Sequence, residues 1–129
     1  MPPGTGLWPA FWLYGVSDIA PKPEIDIFES IGDGKIYVAN HLNGNQTQYS
    51  EVATLTDDYH IYAAKWEADK VSFYLDNVLI TEIATNVPST AMNVMLDLYI
   101  GGAWPGDPVG VTFPVYFDVD YVKVWQSYD

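Results

Sequence analysis

Apolar stretches of strand length recur along the whole chain, and Gly, Pro, Asn or Asp residues separate them. No segment keeps the period of 3.6 residues that is typical of an amphipathic helix. The pattern therefore predicts an all-β protein. The predicted strands are Trp8–Leu13, Glu24–Glu29, Tyr37–Asn43, Tyr59–Trp66, Val71–Leu75, Val78–Ala84, Met92–Ile100 and Tyr116–Trp125.

Two short polar segments predict how three of these strands connect. Asp76-Asn77 lies between two apolar runs, as the residues of a two-residue hairpin turn do. Residues 67–69 indicate a second tight reversal between the strands that end at Trp66 and begin at Val71. We therefore expect these three strands to form one antiparallel meander.

The strand Glu24-Ile25-Asp26-Ile27-Phe28-Glu29 carries three acids, although acidic residues are depleted in strands. In a regular strand, Glu24 and Asp26 point to one face and Glu29 points to the other. A β-bulge at Ile27-Phe28 would return Glu29 to the face of the first two acids. The alternative is a solvated acidic edge strand.

Three acids on one face suit the cleavage of a glycosidic bond with retention of configuration. In that reaction one carboxylate attacks the sugar carbon, and a protonated carboxyl about 5–5.5 Å away donates to the leaving oxygen. Like charges this close do not all ionise near neutral pH, so one carboxyl keeps the proton that an acid catalyst needs.

Together with its flanks, the acid strand resembles family 16 of the glycoside hydrolases, the laminarinase-like jelly rolls, whose signature is Glu-x-Asp-x-x-Glu on a bulged strand. Five further blocks agree with the family's order. They are Gly6-Leu7-Trp8-Pro9-Ala10-Phe11-Trp12-Leu13, His60-Ile61-Tyr62-Ala63-Ala64-Lys65-Trp66, Phe73-Tyr74-Leu75-Asp76-Asn77, Gly101-Gly102-Ala103-Trp104-Pro105-Gly106 and Val119-Asp120-Tyr121-Val122-Lys123-Val124-Trp125.

The resemblance implies an antiparallel β-sandwich of jelly-roll type, similar to concanavalin A. It implies Glu24 as nucleophile, Glu29 as general acid/base and Asp26 as the helper between them. His41 in Asn40-His41-Leu42-Asn43-Gly44 matches a histidine that family members often carry on the neighbouring strand. A lone histidine is also often structural, so both interpretations of His41 stay open.

Aromatic and polar residues are predicted to line a sugar-binding cleft. Ten Tyr and five Trp residues exceed what a core of this size requires, and sugar rings stack on flat aromatic faces. Trp8, Trp12 and Trp104 are predicted to line the cleft, whereas Trp66 and Trp125 are expected in the core. Plain core filling is the alternative for all five.

The run Met92–Ile100 is predicted to have one core face and one mixed, polar face. The core face carries Met92, Val94, Leu96 and Leu98. The predicted hydrogen-bonding residues for sugar hydroxyls are Asn40, Asn93 and Asp97, with simple solvation as the alternative.

The net charge of -12, from 17 acids against five basic residues, argues against nucleic acid and acidic membrane surfaces as partners. It also disfavours sulfated galactans, because a sulfate-binding cleft would carry Arg or Lys. A neutral β-glucan is therefore the expected substrate. Such polymers lie outside cells, so an extracellular, secreted enzyme is expected, although the N-terminal residues lack the features of a signal peptide.

The predicted chemistry requires no cofactor. Without cysteine, neither a disulfide nor a thiolate metal site can form. Asp120 resembles a family position that binds a structural calcium ion. A calcium site needs six or more oxygen ligands, and the family's other ligands are not recognisable in the sequence.

Residues 1–129 are interpreted as a single, partial catalytic domain, because the chain begins in the middle of the family pattern. Missing early strands would uncover apolar faces and strand edges, and a homo-oligomer is the favoured cover for them. The alternatives are a compact rearranged sandwich and a companion fragment. The predicted function is a retaining endo-glycosidase that hydrolyses β-1,3- or mixed β-1,3/1,4-glucan. The alternatives are a carbohydrate-binding module, a weakly active or inactive fragment of such an enzyme, and a transglycosylase.

Overall fold

The computed structural model describes residues 2–16, 18, 20–56 and 58–126, which form eight strands and no helix. The strands are β1 (Leu7–Gly15), β2 (Glu24–Glu29), β3 (Lys35–Leu42), β4 (Asn45–Val52), β5 (Tyr62–Trp66), β6 (Val71–Leu75), β7 (Val78–Ile83) and β8 (Met92–Ile100). Every pairing between them is antiparallel. The predicted all-β class is confirmed, and no described segment is a helix that could cross a bilayer.

The strands form two sheets. The larger has the order β4-β3-β2-β1-β8, and the smaller is the meander β5-β6-β7 that the turn residues predicted. Asp76 and Asn77 have φ angles of 50° and 66°, the left-handed pair that a type I′ hairpin turn requires. The other predicted reversal is closed by a 2.9 Å hydrogen bond from the Glu67 N–H to the Lys70 carbonyl.

Strand β4 was not predicted, because its side chains are polar and mostly exposed. Its sequence, Asn45 to Val52, alternates no apolar residues, so the pattern that indicates a strand is missing. The strand exists because it pairs with β3 along the whole of its length, from Leu42 opposite Asn45 to Lys35 opposite Val52. Its outer edge has no neighbour among the described strands.

The predicted strand at residues 116–125 is wrong. Its side chains alternate as a strand's do, but no hydrogen-bonded neighbour lies along it among the described residues, and a strand requires one. Trp125 is accordingly 80% exposed instead of buried, and Trp66 is 37% exposed, with its indole N–H donating to the Pro88 carbonyl at 2.8 Å. Both tryptophans were expected in the core.

The core lies between the two sheets and is centred on β2 and β3. One cluster joins Ile25, Ile27 and Val38 of the large sheet to Val71, Phe73 and Ile83 of the small sheet. In the second cluster Phe28 stacks on Tyr62 with ring centroids 4.0 Å apart. Each buried side chain of this size stabilises the fold by about 1.5–3 kcal/mol, so β2 is anchored along its inner face.

Strand β8 contributes less to the core than the sequence predicted. Val94 and Leu96 were expected to be buried, yet they are 40% and 39% exposed. Met92 packs against the first cluster, whose fully buried members come from β2, β3, β6 and β7. The reason is position, because β8 is the last strand of the large sheet and the small sheet has only three strands to cover it.

The bulge that the acid spacing predicted is present in β2. On the β1 side, Phe11 pairs with Phe28 while the next residue, Trp12, pairs with Asp26, so Ile27 is the extra residue. The register with β3 shifts over the same stretch. Because Ile27 and Phe28 are successive residues that both enter the core, the strand resumes with Glu29 on the face that carries the other two acids.

Candidate active site

One face of the large sheet collects the predicted site residues, because directly paired residues of antiparallel strands point to the same side. Trp12 lies opposite Asp26, and Tyr14 lies opposite Glu24. On the other side of β2, His41 lies opposite Glu24. Across β1, strand β8 places Asp97 and Asn93 on this face through their pairing with Ala10 and Tyr14. We call this surface the acid face.

Two of the acids, Glu24 and Asp26, are in direct contact with His41 at the centre of the acid face. His41 Nε2 lies 2.9 Å from Asp26 Oδ2 and 3.5 Å from Glu24 Oε1. Glu29 accepts a 2.8 Å hydrogen bond from the indole N–H of Trp8. Asp26 and Glu29 are buried, whereas 26% of the Glu24 side chain stays exposed. The least buried of the three acids is therefore the predicted nucleophile.

Burial raises the pKa values of both glutamates above the ordinary value for a glutamate. It raises the pKa of Glu24 to about 7, with the charge of Asp26 adding to the rise and the charge of His41 opposing it. Burial, again reinforced by Asp26, raises the pKa of Glu29 to about 8, and the Trp8 hydrogen bond opposes that rise. Both carboxyls therefore hold a proton to higher pH than an ordinary glutamate does, which is the property that the acid of retaining cleavage requires.

His41 is the basic member of the cluster. Its hydrogen bond to Asp26 is the largest cause of a raised His41 pKa, and the charges of Asp26 and Glu24 add to it. A protonated His41 offsets part of the negative charge that three neighbouring acids create. The contact with two of the predicted catalytic acids places His41 in the site.

Glu24, Asp26 and His41 also offer one metal-ligand atom each, all within 4.8 Å of one another. Catalytic metal sites use three protein ligands, and structural zinc or calcium sites use more. The 2.9 Å distance between His41 Nε2 and Asp26 Oδ2 matches a charge-assisted hydrogen bond. Asp120 belongs to no cluster of this kind among the described residues.

The three tryptophans predicted to line a cleft all lie at the acid face. Trp104 meets Trp8 edge-on, with ring centroids 5.2 Å apart at 89°, and is 39% exposed. Trp12 donates its indole N–H to Asp97 Oδ2 at 2.8 Å and meets Tyr14 edge-on at 5.2 Å. Trp8 and Trp12 thus flank the acids on the β1 side, and Trp104 packs against both Trp8 of β1 and Tyr37 of β3.

Asn40 does not belong to the acid face, which corrects the prediction that it binds sugar. Strand alternation points it away from its neighbour His41 and into the core, where it is fully buried. Its amide nitrogen donates to the carbonyls of Ile83 and Thr85 at 3.4 and 3.3 Å. Asn40 therefore ties the two sheets together, whereas Asn93 and Asp97 lie on the acid face as expected.

Several residues of the acid face were missed from the sequence. Tyr37 lies opposite Glu29, meets Trp104 edge-on at 4.9 Å and donates its hydroxyl proton to Asp33. Tyr37 lies two steps of two residues before His41 along β3, and it could have been found from the sequence because alternate residues share a face. Gln46 and Gln48 of β4 extend the same face, and they were missed together with their strand.

Replacing Glu29 with Gln is expected to stabilise the protein at alkaline pH. The folded protein holds the Glu29 proton up to a pKa of about 8, against an ordinary value of 4.5, so it binds more protons than the unfolded chain between these values. Wild-type stability therefore falls as pH rises through this window, and a glutamine escapes that loss. At pH 8.5 we expect Glu29→Gln to raise Tm by about 5 °C, with no rise at pH 4.

Thermal unfolding followed by circular dichroism at both pH values measures this effect. The matched control is Glu51→Gln, since Glu51 is an exposed acid of β4, and it should change Tm at neither pH. A Glu29→Gln variant with an unchanged or lower Tm at pH 8.5 would show that ionisation of the buried Glu29 does not destabilise the folded protein.

Comparisons with known proteins agree with this geometry. The model of the family described as glycosyl hydrolases family 16 matches residues 1–123. A β-glucanase of Rhodothermus marinus is 30% identical over 98% of this chain and 54% of its own length, and glucan endo-1,3-β-glucosidase A1 of Niallia circulans is 27% identical over 98% of this chain and 23% of its own length. The chain thus spans no more than about half of these relatives.

Two solved structures have the same fold. The β-glucanase of Bacillus licheniformis matches with a TM-score of 0.76 at 27% identity, over 86% of this chain and 56% of that one. The laminarinase catalytic domain of Thermotoga maritima matches with a TM-score of 0.73 at 25% identity, over 85% and 53%. The predicted jelly-roll class is confirmed by these neighbours.

Proposed function

Because this chain belongs to family 16 of the glycosyl hydrolases, we propose that it is a retaining endo-β-glucanase that cleaves β-1,3- or mixed β-1,3/1,4-glucan. The observation that carries the proposal is the bulge of β2, which brings Glu24, Asp26 and Glu29 to one face of the sheet. A regular strand would have turned Glu29 into the core. The bulge therefore serves the chemistry of the acids.

In the first step the ionised Glu24 attacks the anomeric carbon, and Glu29 gives its proton to the leaving glycosidic oxygen. The C–O bond to the leaving sugar breaks as the ester to Glu24 forms. In the second step the ionised Glu29 takes a proton from water, which attacks the same carbon and releases Glu24 as a carboxylate. Apart from the sugar and water, every group in both steps is a side chain of this protein, so the proposed reaction needs no cofactor.

Asp26 and His41 assist the changes in protonation and charge that the two glutamates undergo during the reaction. Asp26 reinforces the raised pKa of both glutamates, and His41 opposes it while bound to Asp26. When Glu24 becomes an ester it loses its charge, and His41 remains paired with Asp26. We propose that this pair holds the orientation of Glu24 through both steps.

The proposed substrate class is supported by the names of the relatives and by the charge of the chain. The names of the matched proteins include endo-1,3-β-glucosidase and β-glucanase. A net charge of -12 disfavours sulfated polymers, and the exposed Trp104 at the acid face suits stacking against a neutral sugar ring. Since glucan polymers lie outside cells, we propose that the protein acts there.

A second candidate function is that of a weakly active or inactive glucan-binding fragment. It is favoured by apolar side chains that remain exposed on β8 and on residues 113–125, including Leu96, Phe113 and Trp125. Self-association, which would cover such residues, remains a prediction. The enzyme is favoured over a pure binding module because both glutamates that catalysis needs are present and lie on one face of the sheet.

The experiment that tests the function is the release of reducing sugar from laminarin, barley β-glucan, agarose and carrageenan. We expect release from laminarin or barley β-glucan and none from the sulfated carrageenan. Release from agarose alone would contradict the proposed glucan specificity. A folded protein that binds laminarin but releases nothing from any polymer would support the second candidate function.

A further inference from the structure

Two tryptophans of β1 donate their indole N–H groups to carboxylates on opposite sides of the strand. Trp8 and Trp12 are four residues apart and share the acid face, with the small Ala10 between them. Trp8 donates to Glu29 of β2 at 2.8 Å, and Trp12 donates to Asp97 of β8 at the same distance. The same donor therefore serves an acid of the proposed reaction in one case and a strand neighbour in the other.

The ring of Trp8 is held by other aromatic rings. Trp104 meets it edge-on with centroids 5.2 Å apart, and Tyr99 lies 6.0 Å away at 49°. Trp104 in turn meets Tyr37 edge-on at 4.9 Å, and the Tyr37 hydroxyl is tied to Asp33. Because edge-to-face contacts fix the relative orientation of rings, the Trp8 N–H stays directed at Glu29.

We propose that Trp8 is a positioning residue for the acid/base Glu29: its indole N–H holds the Glu29 carboxyl in one orientation and stabilises the ionised form that the second step needs. This inference rests on the proposed function. It also adds a second role to the one predicted for Trp8, which was to line the cleft with its aromatic face.

The physical reason lies in the two tasks of Glu29. Burial and the charge of Asp26 favour the protonated form, which is the acid of the first step. The second step needs Glu29 as a carboxylate. A buried carboxylate that accepts no hydrogen bond is unstable in its ionised form, so the proton lost in the first step would be regained too readily. An N–H donor favours the charged form, and it acts against burial in setting the Glu29 pKa.

Other titratable groups face Glu29 from each strand around it. They are Asp26 and Glu24 on β2, Tyr37 and His41 on β3, and Asp97 and Tyr99 on β8. Asp26 and Glu24 raise the Glu29 pKa and His41 lowers it. A change confined to the Trp8 N–H leaves all of these groups in place, so its effect is separable from theirs.

Trp8→Phe removes the N–H and keeps an aromatic ring, and Trp12→Phe is the matched control. In Trp8→Phe we expect the alkaline limb of the pH profile of kcat/KM on laminarin to move up by about one pH unit, because a hydrogen bond to a charged group is lost. Trp12→Phe removes an equal hydrogen bond to Asp97 and should leave that limb in place. A purely structural role for Trp8 would lower activity without moving the limb.

A second readout does not depend on activity. Glutamate carboxyl carbons labelled with 13C are titrated by NMR in wild type, Trp8→Phe and Trp12→Phe without substrate, and Glu29→Gln assigns the Glu29 signal. We expect the Glu29 midpoint to rise by about one unit in Trp8→Phe alone. An unchanged midpoint in Trp8→Phe, or an equal rise in Trp12→Phe, would overturn the inference.

The two proposals fail in different ways. If no polymer is hydrolysed but the Glu29 midpoint moves in Trp8→Phe, the proposed function is wrong and the control of Glu29 by Trp8 stands. If hydrolysis is seen but Trp8→Phe moves neither the alkaline limb of the pH profile nor the Glu29 midpoint, the proposed function stands and the control of Glu29 by Trp8 is wrong. Should Trp8→Phe not fold, replacement of Trp8 by benzothienylalanine keeps the ring shape, lacks the N–H and is expected to give the same shift.

Discussion

Replacement of Glu24 by Gln is expected to lower hydrolysis of laminarin by on the order of 10⁴-fold or more, while the fold persists. Glutamine has nearly the shape of Glu24 but cannot form the glycosyl ester, so the first step of the proposed reaction stops. The loss should appear in kcat and not in KM, because sugar contacts are kept. Initial rates of reducing-sugar release measure it.

Two controls separate lost chemistry from lost structure. Glu51→Gln changes an exposed acid of β4 and should keep full activity. Glu24→Ala leaves space beside the anomeric carbon, so added azide should restore turnover of an aryl β-laminaribioside and give a glycosyl azide of inverted configuration. A Glu24→Gln variant that keeps more than about a tenth of the wild-type rate would show that another group is the nucleophile.

Replacement of Glu29 by Gln is expected to lower laminarin hydrolysis by about 10²–10⁴-fold, which is the range for loss of a general acid/base. The size of the loss should depend on the leaving group. A dinitrophenyl leaving group needs no proton, so the first step with a dinitrophenyl laminaribioside should remain fast and the glycosyl ester should accumulate. Stopped-flow measurement of released dinitrophenolate should therefore show a burst followed by a slow phase.

The same substitution tests the interpretation of the pH dependence. In wild type the alkaline limb reflects loss of the Glu29 proton, so activity falls as pH rises past the Glu29 pKa of about 8. Glu29→Gln should abolish that limb. A Glu29→Gln variant that hydrolyses laminarin and the activated substrate with equal losses, and that shows no burst, would contradict the acid/base assignment.

The acid face was predictable because its signal is local. The spacing of Glu24, Asp26 and Glu29 requires an extra residue to bring them to one face, and the bulge places that residue at Ile27. The hairpin at Asp76-Asn77 was predictable for a similar reason, since few residue pairs adopt two successive left-handed conformations. Both features depend on residues that are neighbours in sequence.

The remaining features depend on distant partners, which a single sequence does not display. Strand β4 exists through its pairing with β3, and residues 116–125 lack such a neighbour among the described residues despite a strand-like pattern. The prediction for Asn40 failed because it rested on the position of Asn40 beside His41 in the sequence. Adjacent strand residues point to opposite faces, and Asn40 is buried in the core. Likewise, no local pattern revealed the bond between Trp12 and Asp97, which are 85 residues apart.

Trapping of the glycosyl-enzyme tests the central claim most directly. The protein is incubated with a 2-deoxy-2-fluoro-laminaribioside that carries a dinitrophenyl leaving group, and the labelled peptide is sequenced by mass spectrometry. We expect one fluorosugar per chain, linked to Glu24, with no label in Glu24→Gln. A label on Glu29 or on another residue, or turnover of laminarin by a wild-type protein that is never labelled, would contradict it.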